Sequence, residues 1–127
     1  MQTRSQQYAQ AAFPAVQRHY PQPTKELSTE QKEYRTIARK FPTLIHTCGL
    51  AQAIAFYQAK GKVHAEYLAD LAEVVRHAGH PEITSAEELT KRSRTEQLNL
   101  YMRLSRDTLT AAGWLKRYVE ALAGEEE

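Results

Sequence analysis

Cysteine is almost missing from this chain: Cys48 is the single one in 127 residues, so no intrachain disulfide framework can form. The chain therefore suits a reducing compartment such as the cytoplasm. Long apolar runs are missing as well. The longest mostly apolar stretch, Leu44 to Tyr57, contains His46, Thr47 and Gln52 and falls short of the roughly 20 residues of a membrane span. No membrane role is expected. The opening MQTRSQQYAQ is polar, without the basic patch and apolar run of a secretory signal. No stretch alternates with period two in Val, Ile and Thr, which removes strands and leaves an all-α fold. Glycine-rich phosphate loops, GxSxG elbows, CxxC pairs and HExxH helices are all lacking, so the familiar sequence routes to nucleotide, hydrolase and zinc chemistry are closed.

What is present reads as a single helical domain over residues 1–127, because 42% apolar residues are enough to bury one core. A first helix is predicted from about Thr3 to Tyr20, with Tyr8, Ala12, Ala15 or Val16 and His19 on one stripe and a kink near Pro14. Pro21 and Pro23 hold the following PQPTKEL segment extended as a linker. Ser28 and Gln31 have capping-box spacing, which starts a second helix at Thr29 and runs it to Lys40, where Pro42 breaks it. A third helix follows from Pro42 to about Lys60, with Gly61 as its stop; apolar on nearly every side, it is expected to be the central one. A fourth, about Lys62 to Ala78, carries Val63, Tyr67, Leu71 and Val74 or Val75 on one stripe and ends at Gly79 and Pro81.

Capping-box spacings at Thr84–Glu87 and Ser85–Glu88 predict a short fifth helix. The last and longest is placed from Ser93, with Glu96 as reciprocal cap, to Leu122, its apolar face holding Leu98, Tyr101, Met102, Leu109, Ala112, Leu115 and Val119. Gly113 is expected to mark close helix packing, and Gly124 with the three glutamates a frayed tail. The fold class is thus a compact all-α bundle of five or six helices with a long C-terminal helix.

The net charge of +2 hides a segregation along the chain. Residues 31–65 carry +5, residues 66–90 carry −5, residues 91–117 carry +5, and residues 118–127 carry −4. The basic blocks offer Arg35, Arg39, Lys40, Lys60, Lys62, Arg92, Arg94, Lys116 and Arg117, with Arg103 and Arg106, as candidate contacts. Three readings stay open. Such a surface attracts nucleic-acid phosphate through counterion release; the same residues serve equally as solvated outer faces of amphipathic helices; and an acidic block of one copy can meet a basic block of the next in an open, head-to-tail stack.

Little else invites chemistry. His77 and His80 are three apart but straddle Gly79, without the further ligands a metal needs. No metal or other cofactor is expected. His46 and His64 suit capping or surface hydrogen bonds, and Cys48, on the helix read as most buried, behaves as a small apolar residue. Among the tyrosines, Tyr8, Tyr57, Tyr67 and Tyr101 fall on core stripes, which leaves Tyr34 as the freest to stack on a base.

Specific runs carry a resemblance beyond composition. Ala38-Arg39-Lys40-Phe41-Pro42-Thr43-Leu44-Ile45, then Gly49-Leu50-Ala51-Gln52-Ala53 and Phe56-Tyr57-Gln58-Ala59-Lys60, resemble the central signature of the small all-α (fifth) Cmr subunit family of type III-B CRISPR RAMP modules. Leu100-Tyr101 and Trp114-Leu115-Lys116-Arg117-Tyr118 resemble its second signature, and Arg4-Ser5-Gln6-Gln7-Tyr8-Ala9 its opening. The resemblance spans nearly the whole chain. It implies a subunit without catalytic residues, several copies of which stack along backbone RAMP subunits as the inner filament of a ribonucleoprotein, beside guide RNA and target single-stranded RNA. Leu44, Leu50, Ile54, Phe56 and Trp114 in the same motifs are equally explained as core, with roughly 2–5 kcal/mol lost on removing each.

Overall fold

The computed structural model describes residues 1–125, in which six α-helices and no strand occur. The first helix, α1 (Arg4–Gln17), begins at Thr3, whose hydroxyl accepts from the Gln6 amide while the Gln6 side chain accepts from the Thr3 amide. Pro14 lies inside it. Ser28 and Gln31 repeat the same reciprocal cap at the start of α2 (Thr29–Cys48). Each cap satisfies two of the amides that a helix start leaves without partners.

Pro42 does not break α2, contrary to expectation; the helix runs on to Cys48. Phe41, just before the proline, and Ile45, one turn after it, are buried, so packing holds the turn in which the amide bond to the Ala38 carbonyl is lost. Beside that turn, the buried Tyr57 hydroxyl donates to the Ile37 carbonyl at 2.8 Å. The break falls instead at Gly49, whose φ of 85° lies in the left-handed region that side chains disfavour. Beyond it runs the short α3 (Leu50–Gln58).

That correction moves several residues. Leu50, Ala53, Ile54 and Tyr57 of α3 face the core, but Phe56 is 52% exposed and Cys48 is exposed at the end of α2. The central helix is not α3 but α4 (Lys62–His77), which packs against all the others and buries Val63, Tyr67, Leu68, Leu71, Val74 and Val75. Gly61 serves as its N-cap rather than as the end of its predecessor.

Ser85 caps α5 (Ala86–Thr95), its hydroxyl accepting from the Glu88 amide. Ser93 is not a cap; it sits inside α5, where its buried hydroxyl donates to the Thr90 carbonyl. Glu96, expected to cap Ser93, instead pairs with Arg92, which also holds Glu88 one turn back. The last helix, α6 (Leu98–Ala123), therefore starts five residues later than expected. Its buried stripe is Leu104, Thr108, Ala111, Ala112, Leu115, Val119 and Ala123, whereas Leu98 and Met102 face solvent. At Gly113 a side chain would meet nothing within 4 Å, so no close approach explains that glycine.

α6 lies between two neighbours. Tyr8 of α1 reaches the Asp107 carbonyl and Phe13 packs edge-on against Tyr118 at 5.2 Å, so α1 runs in the same direction as α6. Arg39 pairs with Glu120 while the Ala51 amide, just beyond α2, reaches the Tyr101 hydroxyl, so α2 runs opposite. The core between these helices is rich in aromatic rings. His19, Tyr34, Tyr67, Phe41, Tyr57 and His64 form a chain of ring contacts, from 3.8 Å at His19–Tyr34 to 5.8 Å at Tyr34–Tyr67.

Candidate functional site

The two arms of α2 and α6 bring three of the candidate cations together. Arg39 and Lys40, in the second half of α2, and Lys116 of α6 line a shallow hollow of about 150 Å³ with Thr36. Arg39 is partly buried and pairs through Nε with Glu120 at 3.3 Å, which fixes its guanidinium in the seam. Lys40 is exposed and Lys116 half-buried. Arg117, the next residue on α6, is exposed.

The remaining candidates lie elsewhere. Lys60, in the turn between α3 and α4, holds its ammonium 4.6 Å from the centre of the exposed Phe56 ring, a cation–π contact. Lys62 opens α4 and reaches Glu30 at 3.9 Å. Arg92 is committed to Glu88 and Glu96 within α5, which raises its own pKa and lowers that of Glu88, whereas Arg94 is exposed. α5 packs against α3, α4 and α6, away from the α2–α6 hollow.

Arg35 is corrected outright. Expected on the surface, it is 7% exposed and donates through Nη1 to the Ala123 carbonyl at 3.0 Å. A guanidinium at the C-terminal end of a helix satisfies a carbonyl that has no amide partner and meets the negative end of the helix dipole. Arg35 is a structural tie for α6. Tyr34 is corrected too: only 1% exposed, it donates to Asp70 at 2.6 Å and stacks on His19. Burial first, and then the Asp70 charge, push its phenol well above the usual value. It has no face open to a base.

Two buried aspartates, which sequence reasoning missed, organise the polar interior. Asp70 of α4 receives Arg18 at 3.0 Å, His19 Nε2 at 2.8 Å and the Tyr34 hydroxyl, tying the end of α1 and the start of α2 to the central helix. Asp107 of α6 has His80 Nε2 at 2.8 Å and Arg4 at 3.2 Å, with Arg103 and Arg106 alongside. A signal existed. Asp70 stands three residues from Tyr67 and four from Val74, and Asp107 three from Leu104 and four from Ala111, so each carboxylate occupies a core position of its helix. His80, considered as a metal ligand beside His77, is itself buried between Asp107 and Glu82, while His77 is exposed. Among the described residues, no three His, Cys, Asp or Glu side chains are placed to hold a metal ion.

At the start of α6, Leu98 and Met102, one turn apart on the same face, are exposed at 73 and 60%, and Leu100, on the opposite face of the helix, at 45%. No helix among the described residues is long and apolar enough to cross a membrane.

Comparison with known proteins agrees with this architecture along its length. The chain matches the CRISPR-associated protein (Cas_Cmr5) family over residues 4–122. It is 37% identical over 126 residues to the CRISPR system Cmr subunit Cmr5 of Thermus thermophilus, covering 98% of this chain and all of that one. A crystal structure of a CRISPR-associated Cmr5 family protein from the same organism superposes with a TM-score of 0.81, at 37% identity, over 96% of this chain and 98% of that one. Six helices in this order, matched in sequence and in shape from end to end, place the chain in the Cmr5 family of CRISPR Cmr complex subunits.

Proposed function

We propose that the protein is a non-catalytic structural subunit of a cytoplasmic, antiviral Cmr ribonucleoprotein, one folded domain per copy, stacked in several copies along the backbone RAMP subunits and helping to hold guide and target RNA. The observation that carries the RNA part of this reading is the hollow between α2 and α6, where Arg39, Lys40 and Lys116 meet. Three cations at a seam between two packed helices are held on rigid elements, which positions them for successive phosphates at little entropic cost. Each copy then needs only weak attraction, because repetition along one strand multiplies it. Arg117, Arg94, Lys60 and Lys62 are outlying contacts for RNA or for neighbouring subunits.

The exposed Leu98 and Met102, neighbours on one face of α6, support the stacking part. A lone subunit gains nothing by leaving these two large apolar side chains together in water, whereas an assembled one covers them at about 25 cal/mol per Å². The absence of catalysis is read from how the polar groups are used: the histidine–carboxylate pairs are turned inward to hold helices together. The reading as a helical interaction module without RNA draws on the same apolar pair, and one experiment separates the two. Lys40→Glu with Lys116→Glu, assembled into the complex, is expected to release target RNA at lower salt than the parent while subunit stoichiometry is unchanged. RNA retention identical to the parent across the salt series would refute the RNA contact and leave the interaction module.

A further inference from the structure

On the other side of α6, in its seam with α1, three arginines converge on one carboxylate. Arg4 Nη2 lies 3.2 Å from Asp107 Oδ2, Arg106 Nε 3.5 Å from Oδ1, and Arg103 Nε 4.0 Å from Oδ2. Asp107 is the only carboxylate paired with any of the three among the described residues. Three guanidiniums against one carboxylate leave two positive charges in excess. The side chains of Arg4 and Arg103 remain 52% exposed and that of Arg106 72%, whereas Asp107 is buried.

A single buried carboxylate cannot use the donors of three guanidiniums, each of which presents five N–H groups in a fixed fork. It can hold them in place. The arrangement is that of an anchor beneath a set of donors that point past it into solvent, and an open hollow of about 300 Å³ lies there, lined by Arg4, Ser5, Tyr8, Arg106, Asp107 and Thr110. The Arg4 guanidinium lies close to Gly79 beyond the end of α4, where an added Cβ would come 3.8 Å from its Nη2. Like charges gathered this closely repel one another, so the cluster is stabilised by any dianion that enters it.

We infer that this hollow is an oxyanion site, shaped for a phosphate group that Arg4 and Arg106 clasp from the two helices while Asp107 holds their guanidiniums apart. It is separate from the α2–α6 hollow and does not depend on the RNA reading given to that surface. The phosphate can be free or part of an RNA backbone, since the recognition chemistry is the same.

The test is a titration of the isolated full-length protein, ¹⁵N-labelled, with sodium phosphate at constant ionic strength and pH, following the arginine Nε–Hε resonances. Saturable shifts at Arg4 and Arg106, with none at Arg76 of α4, are expected. Arg106→Gln, at a largely exposed position that folding tolerates, should weaken apparent affinity at least about tenfold, and Arg4→Lys less than Arg4→Gln, because a lysine keeps the charge but not the fork. Linear shifts of equal size at Arg4, Arg106 and Arg76 would mean ionic screening alone and overturn the site. Given saturation, displacement of phosphate by a single-stranded oligoribonucleotide assigns the site to backbone phosphate, and lack of displacement assigns it to a free phosphate group.

Discussion

Asp107 Oδ2 lies 2.8 Å from His80 Nε2, both side chains withdrawn from water, so the turn between α4 and α5 is fastened to the middle of α6 by one buried contact. Burial acts to raise the Asp107 pKa, but the hydrogen bond with His80 and the charges of Arg4 and Arg106 hold it below the usual carboxylate value. The unfolded chain therefore binds more protons than the folded one between the two values, and stability rises with pH through that window. The contribution is complete above the unfolded value, about 3.9, and is lost as pH falls through the folded one. Asp107→Asn is expected to cost about 3 kcal/mol at neutral pH and progressively less as the pH is taken down below the unfolded value and through the folded one, read from urea midpoints against pH. An equal loss at both ends of the range would show that the charge is not what matters.

Two core tyrosines give opposite expectations for the same substitution. The Tyr34 hydroxyl donates to the Asp70 carboxylate at 2.6 Å, so Tyr34→Phe should cost roughly 1.5–3 kcal/mol. The Tyr67 hydroxyl is fully buried and has no hydrogen-bond partner among the described residues. Tyr67→Phe removes a polar atom that gained nothing from folding and should leave stability unchanged or raise it by up to about 1 kcal/mol. Chemical denaturation of both variants decides the matter; a Tyr67→Phe loss as large as that at Tyr34 would reveal a partner for the Tyr67 hydroxyl.

Glycines 49 and 113 form a second contrasting pair. Gly49 holds a φ of 85°, so an added side chain is strained by the backbone alone; its Cβ would meet the Tyr101 hydroxyl at an ordinary contact distance of 3.7 Å. Gly49→Ala should cost about 1–2 kcal/mol. Gly113 is inside α6 with open space around it, so Gly113→Ala should gain about 0.5–1 kcal/mol through helix propensity. Thermal melts of the two variants should move in opposite directions.

Sequence pattern made the all-α class, the number of helices and the starts of α1, α2, α4 and α5 legible, because capping residues and helical spacing are local chemistry. Errors arose where a local signal met tertiary competition. Pro42 carries a strong breaking tendency, but buried Phe41 and Ile45 on either side outweigh it. Ser93 and Glu96 have the spacing of a cap, yet Arg92 claims Glu96. The candidate surface was legible only as a list of cations. Charge counting along the chain cannot tell Arg35, spent on the carbonyl of Ala123, from Lys40, which is exposed, since that difference depends on how α2 meets α6. A charge-reversal at Arg35 would accordingly report on folding rather than on RNA.

The elbow at Gly49 also sets the dimensions of the molecule. Straightened, residues 29–58 would form one rod of about 45 Å, longer than the roughly 39 Å of α6 beside it. Leu50, Ala53, Ile54 and Tyr57 would then overhang the end of the bundle as a sticky apolar prong, an invitation to aggregation. One residue without a side chain folds that prong back over α4 and keeps the molecule short.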